Sequence, residues 1–201
     1  MKRNLINPMR RGFTLIEALV TVAILSVILT LTMPSAVDWI VIQRVKANAA
    51  EVAADIRFGR GESIKRNQRV VIAFKQVAGS QTCYVVHTRY NNMACNCTKG
   101  AGNACNQSAD PNLREDWDTL VELKTVTSLV STKVAISPLN GDFAFMAPNG
   151  YPKLPVGVAT QVVKVDGQDS RVLNVVTNAT GRPQVCAPAG SRIVGYPACP
   201  V

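Results

Sequence analysis

Residues 13–33, FTLIEALVTVAILSVILTLTM, form an apolar run of 21 residues that carries a single charge, Glu17. As a helix rising 1.5 Å per residue, such a run is about 30 Å long, the thickness of a bilayer core. The twelve residues before it, MKRNLINPMRRG, hold four basic residues and no acid. They lack the apolar region of a secretory signal peptide. A basic flank of this kind places the N-terminus on the cytoplasmic side and the remainder outside. Glu17 is the anomaly, because a carboxylate in a membrane helix costs about 2.5–3.5 kcal/mol at the helix centre and needs a partner. If the chain is cut after Gly12, the new α-amino group of Phe13 supplies one, and in an assembly the amine of one subunit can pair with Glu17 of the next. The plainer alternative is an uncleaved signal anchor, with Glu17 reaching the interface.

The cysteines agree with that orientation. All six, Cys83, Cys95, Cys97, Cys105, Cys186 and Cys199, lie beyond residue 82. An even number confined to the distal part predicts disulfides formed outside the cytoplasm. Cys186 and Cys199 flank a twelve-residue loop containing Pro188, Gly190, Gly195 and Pro197, so Cys186–Cys199 is the favoured pair. Cys95–Cys97 would close a strained ring; Cys83 therefore pairs with either Cys95 or Cys97, leaving the other for Cys105. A zinc site made by these four cysteines with His87 is the rival reading, but their spacing has no paired CxxC knuckles. No metal or other cofactor is called for.

Composition narrows the chemistry. Apolar residues make up 47% of the 201 and charged residues 17%, which excludes disorder over most of the chain. The formal charge is +9, and four of those charges fall in the first twelve residues, so the rest is only mildly basic. His87 is the one histidine, so two-His metal sites are excluded, and a Ser–His–Asp triad would depend on His87 without a GxSxG motif beside it. Gly100-Ala101-Gly102 lacks the context of a phosphate-binding loop. Glu115, Asp116 and Asp118 share a turn but not the spacing of an EF-hand. Trp39 and Trp117 read as packing residues, and Tyr84, Tyr90, Tyr151 and Tyr196 lack the basic interleaving of a single-strand groove. The expectation is a non-enzyme.

Four segments follow from the pattern: a leader over 1–12, a transmembrane and assembly helix over 13–34, an amphipathic helix over 35–66, and a β-rich head over 67–201. Pro34 predicts a kink or a melted turn. Past it, Val45, Ala49, Val52, Ile56 and Ile64 share one face, with Arg44, Lys46, Asp55, Arg57 and Lys65 on others, and the helix runs to about Lys65. Strands are predicted at 69–77, 82–88, 120–126, 133–137, 143–147, 158–165, 171–177 and 184–186. The Asn- and Gly-rich stretch 91–113, with three cysteines, reads as a disulfide-stapled excursion.

Arg11-Gly12-Phe13-Thr14-Leu15-Ile16-Glu17, between a short basic leader and an apolar helix, resembles the prepilin signature of type IV pilins and pseudopilins. Ala54 to Asn67 and the tail from Asn178 to Cys199 resemble the corresponding parts of FimT/FimU/GspH-type minor pilins and pseudopilins. The resemblance implies an α+β type IV pilin fold, a long helix packed on an antiparallel β-sheet head with disulfide-stapled loops. It also implies cleavage by a prepilin peptidase after Gly12, N-methylation of Phe13, and assembly through Glu17 and Pro34. The implied partners are other pilins and minor pilins and an inner-membrane assembly platform, with the inner membrane as the store before assembly. Type II secretion pseudopilins share this signature. Some FimT-like minor pilins bind double-stranded DNA in natural transformation through a GRxR motif. Here it reads Gly181-Arg182-Pro183-Gln184, with the second arginine replaced by glutamine. Lys164, Arg171 and Arg192 are the other candidates for such a patch.

Overall fold

The computed structural model describes residues 13–77, 81–88, 95–105, 120–127, 134–154 and 157–200, with the side chains of 31–36, 76–77, 81 and 143 left aside. The leader with Gly12, the acids Glu115, Asp116 and Asp118, and Trp117 and Tyr90 lie outside the described residues. The chain forms two compact units, residues 1–39 and 40–201.

One helix, α1 (Leu15–Arg66), spans 52 residues. Thr14 precedes it, and Glu17 stands three residues on, the spacing of a capping box. The Thr14 hydroxyl accepts the Glu17 backbone N–H at 3.3 Å. Within the apolar part, the hydroxyls of Thr21, Ser26 and Thr30 donate to the carbonyls of Ala18, Ala23 and Val27 at 2.7–2.9 Å. Such internal bonds leave few polar groups for a surrounding apolar medium to satisfy. The backbone stays helical through Pro34, so the melted turn is not found; proline removes a single backbone donor, and the ladder on either side continues. Among the described residues no helix is long and apolar enough to cross a membrane.

The described residues of the second unit form nine strands. β1 (Val70–Val77), β2 (Gln81–Thr88), β3 (Glu122–Val126), β5 (Phe143–Met146) and β6 (Tyr151–Lys153) make one sheet in the order β3-β2-β1-β5-β6. β4 (Ala135–Pro138), β7 (Gln161–Asp166), β8 (Val172–Thr177) and β9 (Pro183–Cys186) make the other, in the order β4-β7-β8-β9. Every strand pairing is antiparallel. Eight of the nine strands match the alternation read from the sequence. β6 does not, because it is three residues long with Pro152 at its centre.

Val45, Ala49, Val52 and Ile56 of α1 are buried, and they share one core with Val70, Ile72, Tyr84, Val86, Phe145, Val163, Leu173 and Val175. Ile64, expected on the same face, is 47% exposed. Asp55, expected on a solvent face, is 5% exposed. It accepts the Tyr84 hydroxyl and the Lys124 ammonium, each at 2.7 Å. Lys124 also reaches Glu51 at 3.3 Å, so the helix is pinned to β2 and β3 by a polar network at the edge of the core.

β1 and β2 read as continuous apolar runs because both of their faces are covered. One face meets α1. On the other, Val71, Ala73, Val85 and Ala144 pack with Cys83, Cys95, Cys97 and Ala104. The covering loop is stapled by Cys83–Cys97 and Cys95–Cys105. Glu122 of β3 holds it as well, accepting the backbone N–H groups of Gly102 at 2.8 Å and Ala104 at 3.0 Å and the Thr125 hydroxyl at 2.6 Å. Burial raises the Glu122 pKa, and these donors outweigh it, so the carboxyl sits below its ordinary value. His87 is fully buried in β2, with Nδ1 2.8 Å from the Thr88 carbonyl, a place in the core.

Candidate functional site

The hairpin of β8 and β9 turns through Asn178-Ala179-Thr180-Gly181. The Asn178 side-chain oxygen accepts the backbone N–H groups of Thr180 at 3.2 Å and Arg182 at 3.0 Å, and the Thr180 hydroxyl at 2.7 Å. The Gly181 N–H donates to the Asn178 carbonyl at 2.8 Å. An Asx turn of this kind fixes the backbone from which Arg182 projects.

Below the turn lies α1. Gly181 has φ 76°, and a Cβ there would meet the Gly150 carbonyl at 3.1 Å and Arg60 Cδ and Nε at 3.2 and 3.3 Å. Gly150, φ 65°, is as tight against Ile64 and Arg60. The two glycines admit the Arg60 side chain between helix and hairpin. Arg60 Nε is buried with no hydrogen-bond partner among the described residues. A buried donor left unmet costs about 1–3 kcal/mol, and more when charged.

The result is a cavity of about 650 Å³ lined by Arg57, Arg60, Gly61, Ile64, Gly181, Arg182 and Pro183. Three guanidinium groups line it and no acid does. Arg57 Nη2 makes a long contact, 3.5 Å, with the Pro183 carbonyl. Among the described residues no acid lies within ion-pair distance of Arg57, Arg60 or Arg182. Such a lining suits an anion, with Ile64 and Pro183 as an apolar floor.

The candidates taken from the sequence do not gather around Arg182. Thr177 stands opposite Pro183, and Arg171 precedes the far end of β8, roughly 20 Å along the strand. Arg171 is 8% exposed and bonds to Asp169 at 3.1 Å. Arg192 is at that same far end, its N–H donating to the Ser170 carbonyl at 2.9 Å. Lys164 opposes Asn174, roughly 10 Å from the hairpin end, and pairs with Asp166 at 2.7 Å. Burial raises the Asp166 pKa, but the Lys164 ammonium and the Gln168 N–H bring it below the usual value. Gln184, two residues along β9 from Arg182, is exposed like it. Arg57 and Arg60 escaped the sequence reading because they lie about 120 residues before Arg182. Their one signal is the three-residue spacing that puts both on the same face of a helix.

At the other end of the hairpin, Cys186–Cys199 closes the C-terminal loop with a Cα–Cα distance of 4.9 Å. Ala187 accepts the Cys199 N–H at 3.1 Å and donates to the Pro197 carbonyl at 2.8 Å. At the N-terminus, Phe13 and the side chains of Leu15, Ile16, Val22 and Val27 are exposed. No cation lies within ion-pair distance of Glu17 among the described residues. Trp39 is 62% exposed, so the packing role expected for it is not met within the chain.

Two crystal structures of the type IV minor pilin FimU of Pseudomonas aeruginosa (strain PAO1), in space groups P21 and P65, are similar to this one. Their TM-scores are 0.47 and 0.45, at 9% and 10% identity, over 71% and 70% of this chain and 88% and 90% of theirs. No curated protein matches the sequence. Residues 7–33 match the prokaryotic N-terminal methylation motif. Residues 48–181, more than half of the chain, match the type II transport protein GspH. With that methylation motif ahead of that domain, the chain belongs to the GspH family, and it is a type IV pilin-like minor pilin or pseudopilin.

Proposed function

We propose that this chain is a minor pilin of a type IV pilus that supports filament assembly through its N-terminal helix, and that it is not an enzyme. The observation that carries the reading is the exposed apolar half of α1, where Leu15 is 79% and Ile16 66% exposed. Surface of this kind must be covered, first by lipid and then by the helices of neighbouring subunits. The helix stores the subunit in the inner membrane with the head on the periplasmic side. Cleavage after Gly12 and methylation of Phe13 leave a positive amine, and Glu17 of one subunit pairs with that amine on its neighbour. Extraction then exchanges lipid contacts for helix contacts without stranding a charge. The test is Glu17→Ala: the variant should be processed and inserted but under-represented in sheared filaments. Normal incorporation would sink the pairing account.

The GspH match favours a type II secretion pseudopilin as the second reading. Deletion separates the two: loss of surface filaments supports the pilus, and loss of exoprotein release with intact pili supports the secretion system. Binding of double-stranded DNA by the head is a further reading, favoured by the exposed Arg182 beside a cavity with three arginines. A gel-shift titration at two salt concentrations tests it, since phosphate contacts weaken with salt. Binding that survives Arg182→Ala unchanged would count against it.

A further inference from the structure

We propose that the cavity between α1 and the β8–β9 hairpin binds a phosphate monoester, with Arg57, Arg60 and Arg182 as its cationic ligands. Two arginines from the helix wall and one from the hairpin wall, without a carboxylate among the lining residues, suit an anion of more than one charge and more than two oxygens. A carboxylate is satisfied by one fork. A diester offers two free oxygens and one charge. A phosphate monoester offers three oxygens and close to two charges at neutral pH. The volume of about 650 Å³ leaves room for the group that bears the phosphate, against Ile64 and Pro183. Gly181 and Gly150 keep the Arg60 stem in place, so part of the ordering cost is met before the ligand arrives.

Within this arrangement Arg60 and Arg57 supply from the helix the charge that Gln184 cannot supply from the strand. A free phosphorylated metabolite and the end of a nucleic-acid strand both carry this group, and the chemistry recognised is the same. The proposal does not rest on the assembly reading, and it shares Arg182 and the arginine-lined cavity with the DNA reading.

The experiment is calorimetric titration of the full 201-residue chain in detergent, in a phosphate-free buffer. The probes are inorganic phosphate, a nucleoside 5′-monophosphate, and sodium acetate at matched ionic strength. The expected result is saturable one-to-one binding of phosphate and nucleotide, with acetate inert. Arg57→Gln and Arg182→Gln, both at exposed positions, should each weaken binding at least tenfold, and Arg60→Lys should weaken it while preserving the packed stem. A 5′-phosphorylated oligonucleotide and its 5′-hydroxyl twin then separate the sources. Preference for the phosphorylated strand assigns a strand end; nucleotide binding without that preference assigns a small metabolite. Absence of saturable phosphate binding, equal binding of acetate, or indifference to the arginine substitutions overturns the proposal. Equal binding of both oligonucleotides with no competition by phosphate also overturns it, and leaves the DNA reading standing.

Discussion

Replacing Asp55 by alanine removes the acceptor at which helix and sheet meet. Tyr84 is 2% exposed, and its hydroxyl would lose its partner inside the core. An unmet buried hydroxyl costs about 1–3 kcal/mol. Lys124 is 37% exposed and keeps Glu51, so its share is within about 0.5 kcal/mol after solvent screening. The sum is a destabilisation of about 1–3.5 kcal/mol. Tyr84→Phe in the native background should cost about 1–2 kcal/mol, because Asp55 keeps Lys124. In the Asp55→Ala background the same change should cost almost nothing, giving a coupling of about 1–2 kcal/mol. The assay is urea unfolding without reductant, followed by circular dichroism on the four proteins of the cycle, with the N-terminal helix held in detergent. Additive costs, with no coupling between positions 55 and 84, would refute the reasoning.

Burial, then the Asp55 carboxylate, push the Tyr84 phenol far above its usual value. The neutral phenol is therefore favoured by folding; its contribution is complete below the unfolded pKa of about 10 and is lost as the pH rises above it. Tyr84→Phe should flatten the alkaline limb of the stability profile. Glu122 behaves oppositely, since its pKa is lowered: its contribution is present above the unfolded value of about 4.3 and fades as the pH falls through the folded one. Glu122→Gln should cost about 1–3 kcal/mol at neutral pH and lower the protection of the Gly102 and Ala104 amides against exchange relative to their intrinsic rates. Gly181→Ala should lose about 1–3 kcal/mol through its φ of 76° and the approach of Gly150, measured by the same unfolding. Removing Cys186–Cys199 by paired serine substitution should cost about 2–4 kcal/mol.

The strands were legible because period-two alternation between turn residues survives any tertiary arrangement. Gln161 to Asp166 illustrates it, since Gln161, Val163 and Val165 are buried and Val162, Lys164 and Asp166 between and after them are only half-buried. β6 was not legible, because three residues around Pro152 carry too little pattern. Asp55 was misplaced for a different reason. A helical wheel assigns charge to solvent, and only Tyr84 and Lys124, brought from β2 and β3, make its burial tolerable. For the cavity, Arg182 stood out through its motif, whereas Arg57 looked like an ordinary surface charge of the helix. Lys164 and Arg171 are each occupied by an acid two residues away, Asp166 and Asp169, a signal that lay in the sequence beside them. What no short window of sequence contains is the meeting of Arg57 and Arg60 with Arg182, which is tertiary.

The sharing of α1 between the N-terminal segment and the core governs the order in which this protein can mature. Val45, Val52 and Ile56 leave the ribosome early, yet their partners Val163, Leu173 and Val175 follow more than a hundred residues later. Contacts of such separation form slowly, because the loop must close before burial rewards it. During export the helix therefore waits with an open apolar face until β7 and β8 arrive. A chaperone has a window in which to hold it, and a chain truncated before residue 160 should be cleared by proteolysis rather than accumulate.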